Sequence, residues 1–276
     1  MSGKLLVTGG TGMVGRALQE ICPGAVYVGS GDYDLTHEDQ VVKMYEDVRP
    51  SSVIHLAARV GGIQDNIKMP ADYFYQNAVI NALVVNYAVK YGVRKLVGVV
   101  SNCAYPDVTE NYPLAEEQIF DGRPARTNFA YSIAKRALKA HIDACRVQYG
   151  CDFVTVIPSS LYGPFDHFDT ERGHFISAVM TKVCKAARTG RKEVELLGTG
   201  EPRRQYMYSY DFAAILMELI QRKELPSVMN AGPPENLTIR ELAEKIVDAV
   251  GYSGLNLKFN SDYPDGQMRK DLDSTV

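Results

Sequence analysis

Apolar runs of strand length alternate with helix-length amphipathic stretches from Lys4 to about Pro158, and this alternation constrains the fold more than any other feature of the chain. The runs are "KLLVT" (4–8), "AVYVG" (25–29), "SVIHLA" (52–57), "KLVGVVS" (95–101) and "DFVTVIP" (152–158). Helical patterns lie between them near 12–21, 38–48, 71–91 and 128–149. Parallel strands need a crossover helix, and strands covered on both faces read as continuous apolar runs. Residues 1–158 are therefore expected to form an α/β, Rossmann-type doubly wound parallel sheet. After Pro158 the pattern loosens into the turn-rich "SSLYGPFDHFDTERG", a helix near 174–188, a strand "EVELLG" and "GTGEPRRQYMY". Residues 159–276 are expected to build mainly a smaller C-terminal α/β domain on the sheet's edge, with some later segments returning to the first.

With 276 residues the chain can hold one large or two intimate domains. Its 30 Lys and Arg against 33 Asp and Glu leave a net charge of −3, with no basic stripe, which argues against nucleic acid or a membrane surface as partner. "MSG" leads straight into an apolar strand without a basic leader or a span-length apolar stretch, so a cytoplasmic location is expected. The five cysteines (Cys22, Cys103, Cys145, Cys151, Cys184) are odd in number and lack a C-x-x-C pair. Neither a disulfide framework nor a metal site is expected.

"LLVTGGTGMVGRAL" places Gly9, Gly12 and Gly15 between the first strand and the first helix. The spacing G-x-x-G-x-x-G is one residue longer at its first gap than the G-x-G-x-x-G dinucleotide fingerprint. Glycines let the backbone approach a pyrophosphate, and the helix N-terminus adds amide donors and a positive dipole. The expected dinucleotide contacts are Gly9, Thr11, Gly12, Met13, Gly15 and Arg16, then Asp34 and Leu35 beyond the second strand, and Leu56, Ala57 and Ala58 beyond the third. An acid near the second strand's end favours a ribose 2′-hydroxyl, whereas a basic group accommodates a 2′-phosphate. "VGSGDYDLT" carries Asp32 and no cation, while Arg16 is near enough in sequence to reach a phosphate. NADP(H) and NAD(H) both remain open on these residues.

"AYSIAK" sets Tyr131 and Lys135 four apart, on one face of a helix. A phenol near pKa 10 is a poor acid at neutral pH until an ammonium stabilises its phenolate. Alone, Tyr-x-x-x-Lys is common surface decoration. Beside the glycine turn and "SNC" it reads as a proton relay, with Ser101 at the carboxyl end of a parallel strand, ready to hydrogen-bond the oxygen that Tyr131 protonates. On the residues alone, Cys103 is a small buried side chain and His174 a helix-cap or surface histidine.

These residues resemble the extended short-chain dehydrogenases/reductases, and more narrowly their GDP-L-fucose synthase subfamily. "VTGGTGMVG", "VIHLAARVGGI", "SNCAYP", "AYSIAKR", "LYGPFDHF", "GHFISAV", "GTGEPRRQY" and "YPDGQMRKDLD" carry the likeness through nearly the whole chain. The resemblance implies an NADP(H)-dependent enzyme that epimerises carbons 3 and 5 and reduces carbon 4 of a GDP-linked 4-keto-6-deoxy sugar. It assigns Cys103 and His174 the proton exchanges at carbons 3 and 5, chemistry that suits a thiol titrating near 8.5 and an imidazole near 6.5. Residues 159–276 would then bind substrate, through Lys182, Arg204, Lys270 and Ser160; Gly61, Gly62 and Asn66 would line the sugar pocket by analogy. A 4-keto-reductase acting on a related GDP-sugar such as a GDP-heptose is the alternative.

The chain departs from the subfamily at Ser159 and Ser160, where relatives have Thr-Asn, and at Gly31, where a basic residue is common; relatives also continue beyond "LDSTV". The helix at 71–91 is apolar on more than one stripe, and a helix packed only on a sheet needs one. The surplus suits a homodimer formed with the helix at 128–149, or burial under a loop of the same chain.

Overall fold

The computed structural model describes residues 3–168, 173–263 and 265–275. Its first half runs β1 (Lys4–Thr8), α1 (Met13–Ile21), β2 (Val26–Val28), α2 (Glu38–Val48), β3 (Pro50–His55), α3 (Ile63–Lys68), α4 (Pro70–Lys90), β4 (Lys95–Val99), α5 (Phe129–Tyr149) and β5 (Asp152–Pro158). There follow β6 (Ser160–Tyr162), α6 (Phe175–Thr189), β7 (Glu193–Leu197), β8 (Arg203–Arg204), β9 (Tyr206–Tyr208), α7 (Ser209–Gln221), β10 (Val228–Ala231), β11 (Leu237–Thr238), α8 (Ile239–Val250) and β12 (Asn256–Asn260). Of the turn-rich loop expected after Pro158, residues 169–172 lie outside the described residues.

The central sheet is parallel throughout, in the order β10-β5-β4-β3-β1-β2. Alternate residues of its strands enter two separate cores, as the period of two requires. Leu6, Val53, Leu96 and Phe153 pack with Tyr45 of α2, Val84 of α4 and Leu138 of α5. Leu5, Val7, Ile54, Val97 and Val154 pack with Leu18 of α1 and with Phe212 and Leu216 of α7. Each fully buried side chain of this size contributes about 1.5–3 kcal/mol. Tyr45 is sealed in, yet its hydroxyl donates to Val84 O at 2.8 Å.

Two strands end sooner than their apolar runs. β3 pairs with β1 from Pro50 to His55, where β1 itself stops at Thr8, so Leu56 and Ala57 become loop. β4 leaves its ladder after Val99, and Val100 to Ser101 lead into a 3₁₀ turn at Asn102–Ala104.

α7 and β10 pack with the sheet of the first half, although they follow Pro158 in sequence. A third core joins α6 and β7 to α8 and β12 through Val179, Val183, Val194, Leu196 and Ala243. α8 starts on a capping box, in which Thr238 Oγ1 accepts from Glu241 N while Glu241 Oε2 accepts from Thr238 N. Among the described residues no helix is long and apolar enough to cross a membrane.

Candidate active site

Strand order reverses between β1 and β3, the point where open α/β sheets leave a crevice at their carboxyl ends. A cavity of about 680 Å³ starts at the glycine turn and runs to Ser101, Cys103, Tyr131, Lys135 and His174. The turn is shaped by close approach. Gly9 has φ +73°, and a Cβ there would lie 2.8 Å from Ala57 N. A Cβ on Gly15 would lie 2.5 Å from the carbonyl oxygens of Gly9 and Gly10, so only glycine lets α1 start this near the turn. α1 has no side-chain cap and no acid in its first turn, leaving its first amides for an anion. A backbone cradle at the mouth of a long cavity fits a dinucleotide pyrophosphate.

Of the expected dinucleotide contacts, Gly9, Thr11, Gly12, Met13, Gly15, Asp34, Leu35, Leu56, Ala57 and Ala58 line this cavity. Arg16 is not among its walls, and its guanidinium packs 5.4 Å from the centre of the Phe165 ring. Near β2 the walls are Gly29, Ser30, Tyr33, Asp34 and Thr36, with no cation. Asp34 Oδ1 accepts from the Thr36 hydroxyl and amide, bonds that hold its carboxyl below the usual value.

At the far end the Ser101 side chain caps the 3₁₀ turn, accepting from Cys103 N at 3.2 Å. That cap accounts for a serine at the end of the strand and fixes the backbone that carries Cys103 two residues on. Tyr131 and Lys135 sit a turn apart on α5, with Lys135 Nζ 5.9 Å from the tyrosine ring centre and donating to Val99 O at 2.9 Å. Burial pulls the Lys135 ammonium down to about 8. Burial and the neighbouring Cys103 push Tyr131 up, against the opposing hydrogen bond with Ser101, so the phenol is protonated at neutral pH.

His174 stands at the N-cap position of α6 without capping it through its side chain, and its Nδ1 meets Asp166 Oδ1 at 2.9 Å. Sequence reasoning missed Asp166; its signal was an acid eight residues before a histidine in a turn-rich loop. The Asp166 hydrogen bond raises the imidazole above its ordinary value, with burial opposing. Burial alone would raise the Asp166 carboxyl, but its bond to His174 and the imidazolium charge bring it below the usual range. Arg59 and Tyr206, also missed, are further walls of the cavity.

The expected substrate contacts divide. Ser160 lines the cavity; Lys182, Arg204 and Lys270 are not among its walls. The Lys182 ammonium donates to Glu195 O on β7, and Arg204 Nη1 donates to Arg203 O. Lys270 Nζ lies 3.8 Å from Cys103 Sγ, brought there because Leu114 N donates to Asp271 O and Asp273 N donates to Leu114 O. Gly61, Gly62 and Asn66 are also absent from the cavity walls: the Asn66 amide turns inward and donates to both glycine carbonyls. No cluster of metal-binding side chains occurs among the described residues.

Residues 5–232 match the NAD dependent epimerase/dehydratase family. The GDP-L-fucose synthase of Dictyostelium discoideum is 34% identical over 275 residues, covering 96% of this chain and 85% of the relative. A GDP-L-fucose synthetase structure from Naegleria fowleri, bound to NADP, superposes with a TM-score of 0.90 at 33% identity, covering 99% of this chain and 84% of that one. A GDP-mannoheptose C4 reductase from Campylobacter jejuni with NADP bound gives 0.88 at 26% identity, covering 99% and 90%. A glycine turn, a Ser/Tyr/Lys constellation at the far end of one cavity, and similarity along nearly the whole length agree: the chain belongs to the NAD dependent epimerase/dehydratase family of extended short-chain dehydrogenases/reductases, among the relatives of the GDP-L-fucose synthases.

Proposed function

We propose that this enzyme uses NADPH to convert a GDP-linked 4-keto-6-deoxy sugar by epimerisation at carbons 3 and 5 and reduction at carbon 4, giving GDP-L-fucose or a close relative. The observation that carries the reading is that Cys103 and His174 share one cavity with Ser101, Tyr131 and Lys135. Carbon acid chemistry and carbonyl reduction then need only one bound sugar. The NADP-bound relatives support the choice of cofactor.

The glycine turn and the first amides of α1 would hold the pyrophosphate, with Asp34 and Leu35 toward the adenosine. When bound, the dinucleotide supplies the hydride that reaches carbon 4. The 4-keto group acidifies the protons on carbons 3 and 5. Cys103 and His174 exchange those protons from opposite faces, one removing and the other returning, and Asp166 keeps His174 in its protonated, donating form. Ser101 hydrogen-bonds the carbon 4 oxygen, Tyr131 gives it a proton, and the Lys135 ammonium steadies the resulting phenolate.

Reduction at carbon 4 alone, on a GDP-heptose or similar sugar, is the second reading. Ser159 and Ser160 favour it, because a hydroxyl cannot reproduce the paired donor and acceptor of an amide, as does the likeness to the C4 reductase. We also infer a homodimer through α4 and α5, which pack together and leave Phe74, Tyr75, Val147 and Tyr149 exposed; light scattering on the eluting protein tests it.

The deciding experiment is turnover of GDP-4-keto-6-deoxy-mannose with NADPH in deuterated water. Deuterium at carbons 3 and 5 together with cofactor oxidation supports the first reading. Oxidation without deuterium there supports the second, and absence of turnover on any GDP-sugar refutes both.

A further inference from the structure

His55 ends β3, one residue before Leu56 on the cavity wall, and is 1% exposed. It has no part in the chemistry above, yet both ring nitrogens are engaged: Nδ1 with Thr8 Oγ1 at 2.8 Å and Nε2 with Asn81 Oδ1 at 3.0 Å. The direction of each bond follows from the far ends of the chain. Asn81 Nδ2 donates to Ala134 O at 3.2 Å, so the amide oxygen is the atom facing His55, and an amide oxygen only accepts. Nε2 therefore carries a proton. A neutral imidazole then has a bare Nδ1, which accepts the hydrogen bond that the Thr8 hydroxyl donates, while Thr8 Oγ1 accepts from Ala57 N at 3.4 Å. With that one tautomer, each hydrogen bond of the path joins one donor to one acceptor.

The neutral state has its own cause. His55 is buried beside the Lys135 ammonium, and burial followed by that charge takes the imidazole down to about 3. The path touches four elements. Thr8 precedes Gly9 of the dinucleotide turn, Ala57 is a cavity wall, Asn81 belongs to α4, and Ala134 lies between Tyr131 and Lys135 on α5. An apolar side chain would fill the end of β3 without these bonds, so it is the histidine that ties the four elements together.

We propose that His55, as the neutral tautomer protonated on Nε2, is the positioning residue that sets the relay helix α5 against the dinucleotide turn. The inference rests on the reductase reading above. It explains how the proton donor on α5 keeps its place relative to the glycine turn that follows β1.

The test joins nitrogen-15 NMR of the histidine-labelled native protein to two variants. The native protein, with and without NADPH, should show His55 with a protonated Nε2 and a bare Nδ1 throughout pH 5–8. His55→Phe cuts the path; His55→Gln can retain one acceptor and one donor. For His55→Phe we expect NADPH affinity within threefold of native, kcat at least tenfold lower, and a displaced Lys135 titration; His55→Gln should recover most of the kcat. A proton on Nδ1, an imidazolium at pH 7, or a folded His55→Phe with kcat within twofold of native would overturn the proposal. If His55→Phe does not fold, the native spectra and His55→Gln decide. A native protein that turns over no GDP-sugar refutes the functional reading, and the tautomer together with the Lys135 titration still judges the role of His55.

Discussion

Nδ1 of His174 stands 2.9 Å from Oδ1 of Asp166, whose side chain is only 3% exposed. The carboxylate raises the imidazole and is itself lowered by it, so the pair is ionic between the two titrations. His174 contributes stability at pH below its ordinary value and loses it as pH rises through the raised one; Asp166 contributes above its ordinary value and loses it as pH falls through the lowered one. Asp166→Asn should remove the support for the imidazolium. We expect His174 to titrate at lower pH, followed by proton NMR, and carbon-bound deuterium uptake at neutral pH to fall on the order of 10-fold, with partial recovery in more acidic buffer. An unchanged His174 titration would show that Asp166 does not set its charge.

Cys103 lies next to Ser101 but has a different task in the proposed chemistry. Cys103→Ser should reduce deuterium incorporation at carbons 3 and 5 by roughly 10²–10⁴-fold, the usual worth of a positioned acid or base. Reduction of a substrate already epimerised should stay within a few-fold of native, read from cofactor absorbance. Equal loss of both activities would argue against the division of labour between Cys103 and the Ser101, Tyr131 and Lys135 set.

Lys135 is buried as an ammonium with Val99 O as its acceptor. Because its folded value is about 8, below the ordinary lysine value, the unfolded chain holds a proton that the folded chain has released between these two values. Stability from this group therefore rises with pH across that window and is lowest below it. Lys135→Met should raise Tm at pH 7 by about 2–4 °C, the equivalent of about 1 kcal/mol for a chain of this size, while abolishing reduction. In the native enzyme, reduction should decline as pH rises through about 8 and the charge that steadies the phenolate is lost. A Tm that falls on substitution would mean that the bond to Val99 O outweighs the desolvation of the charge.

A Cβ on Gly31 would meet nothing within 4 Å, and the cavity walls near β2 carry no cation. Gly31→Arg should accordingly be tolerated and should tighten NADP(H) by about 10-fold relative to NAD(H), in line with a charge-assisted hydrogen bond of about 1.5–3 kcal/mol partly offset by solvent. Titration of both dinucleotides by quenching of intrinsic fluorescence measures the ratio. Equal gains for both would place the new side chain on the shared pyrophosphate instead.

Much of the fold was legible because its signals are local. Strand-length apolar runs, Gly9, Gly12 and Gly15 ahead of α1, and Tyr131 four residues before Lys135 are periodicities that depend on neighbours in the chain. The strand ends were less legible: "SVIHLA" continues apolar past His55, yet a ladder stops where its partner stops, and β1 stops at Thr8. Leu56 and Ala57 are apolar because they line a cavity.

By itself, then, the sequence determined the parallel sheet, its glycine turn, a serine just past β4, and a tyrosine and lysine one turn apart on α5, since each follows from backbone periodicity or helix geometry. Only the tertiary structure decided that Lys270 meets Cys103 across 167 positions, that Asp166 holds His174, that Asn66 turns away from the cavity, and that His55 joins β1 to α5 through Asn81. The Lys270 and His55 contacts join segments far apart in the chain, and the shorter reaches from Asp166 to His174 and from Asn66 to its glycines follow loop paths with no regular period. The long-range contacts depend on the order β10-β5-β4-β3-β1-β2 and on how α4 and α5 settle on it, and packing of distant surfaces leaves no period in the sequence to read.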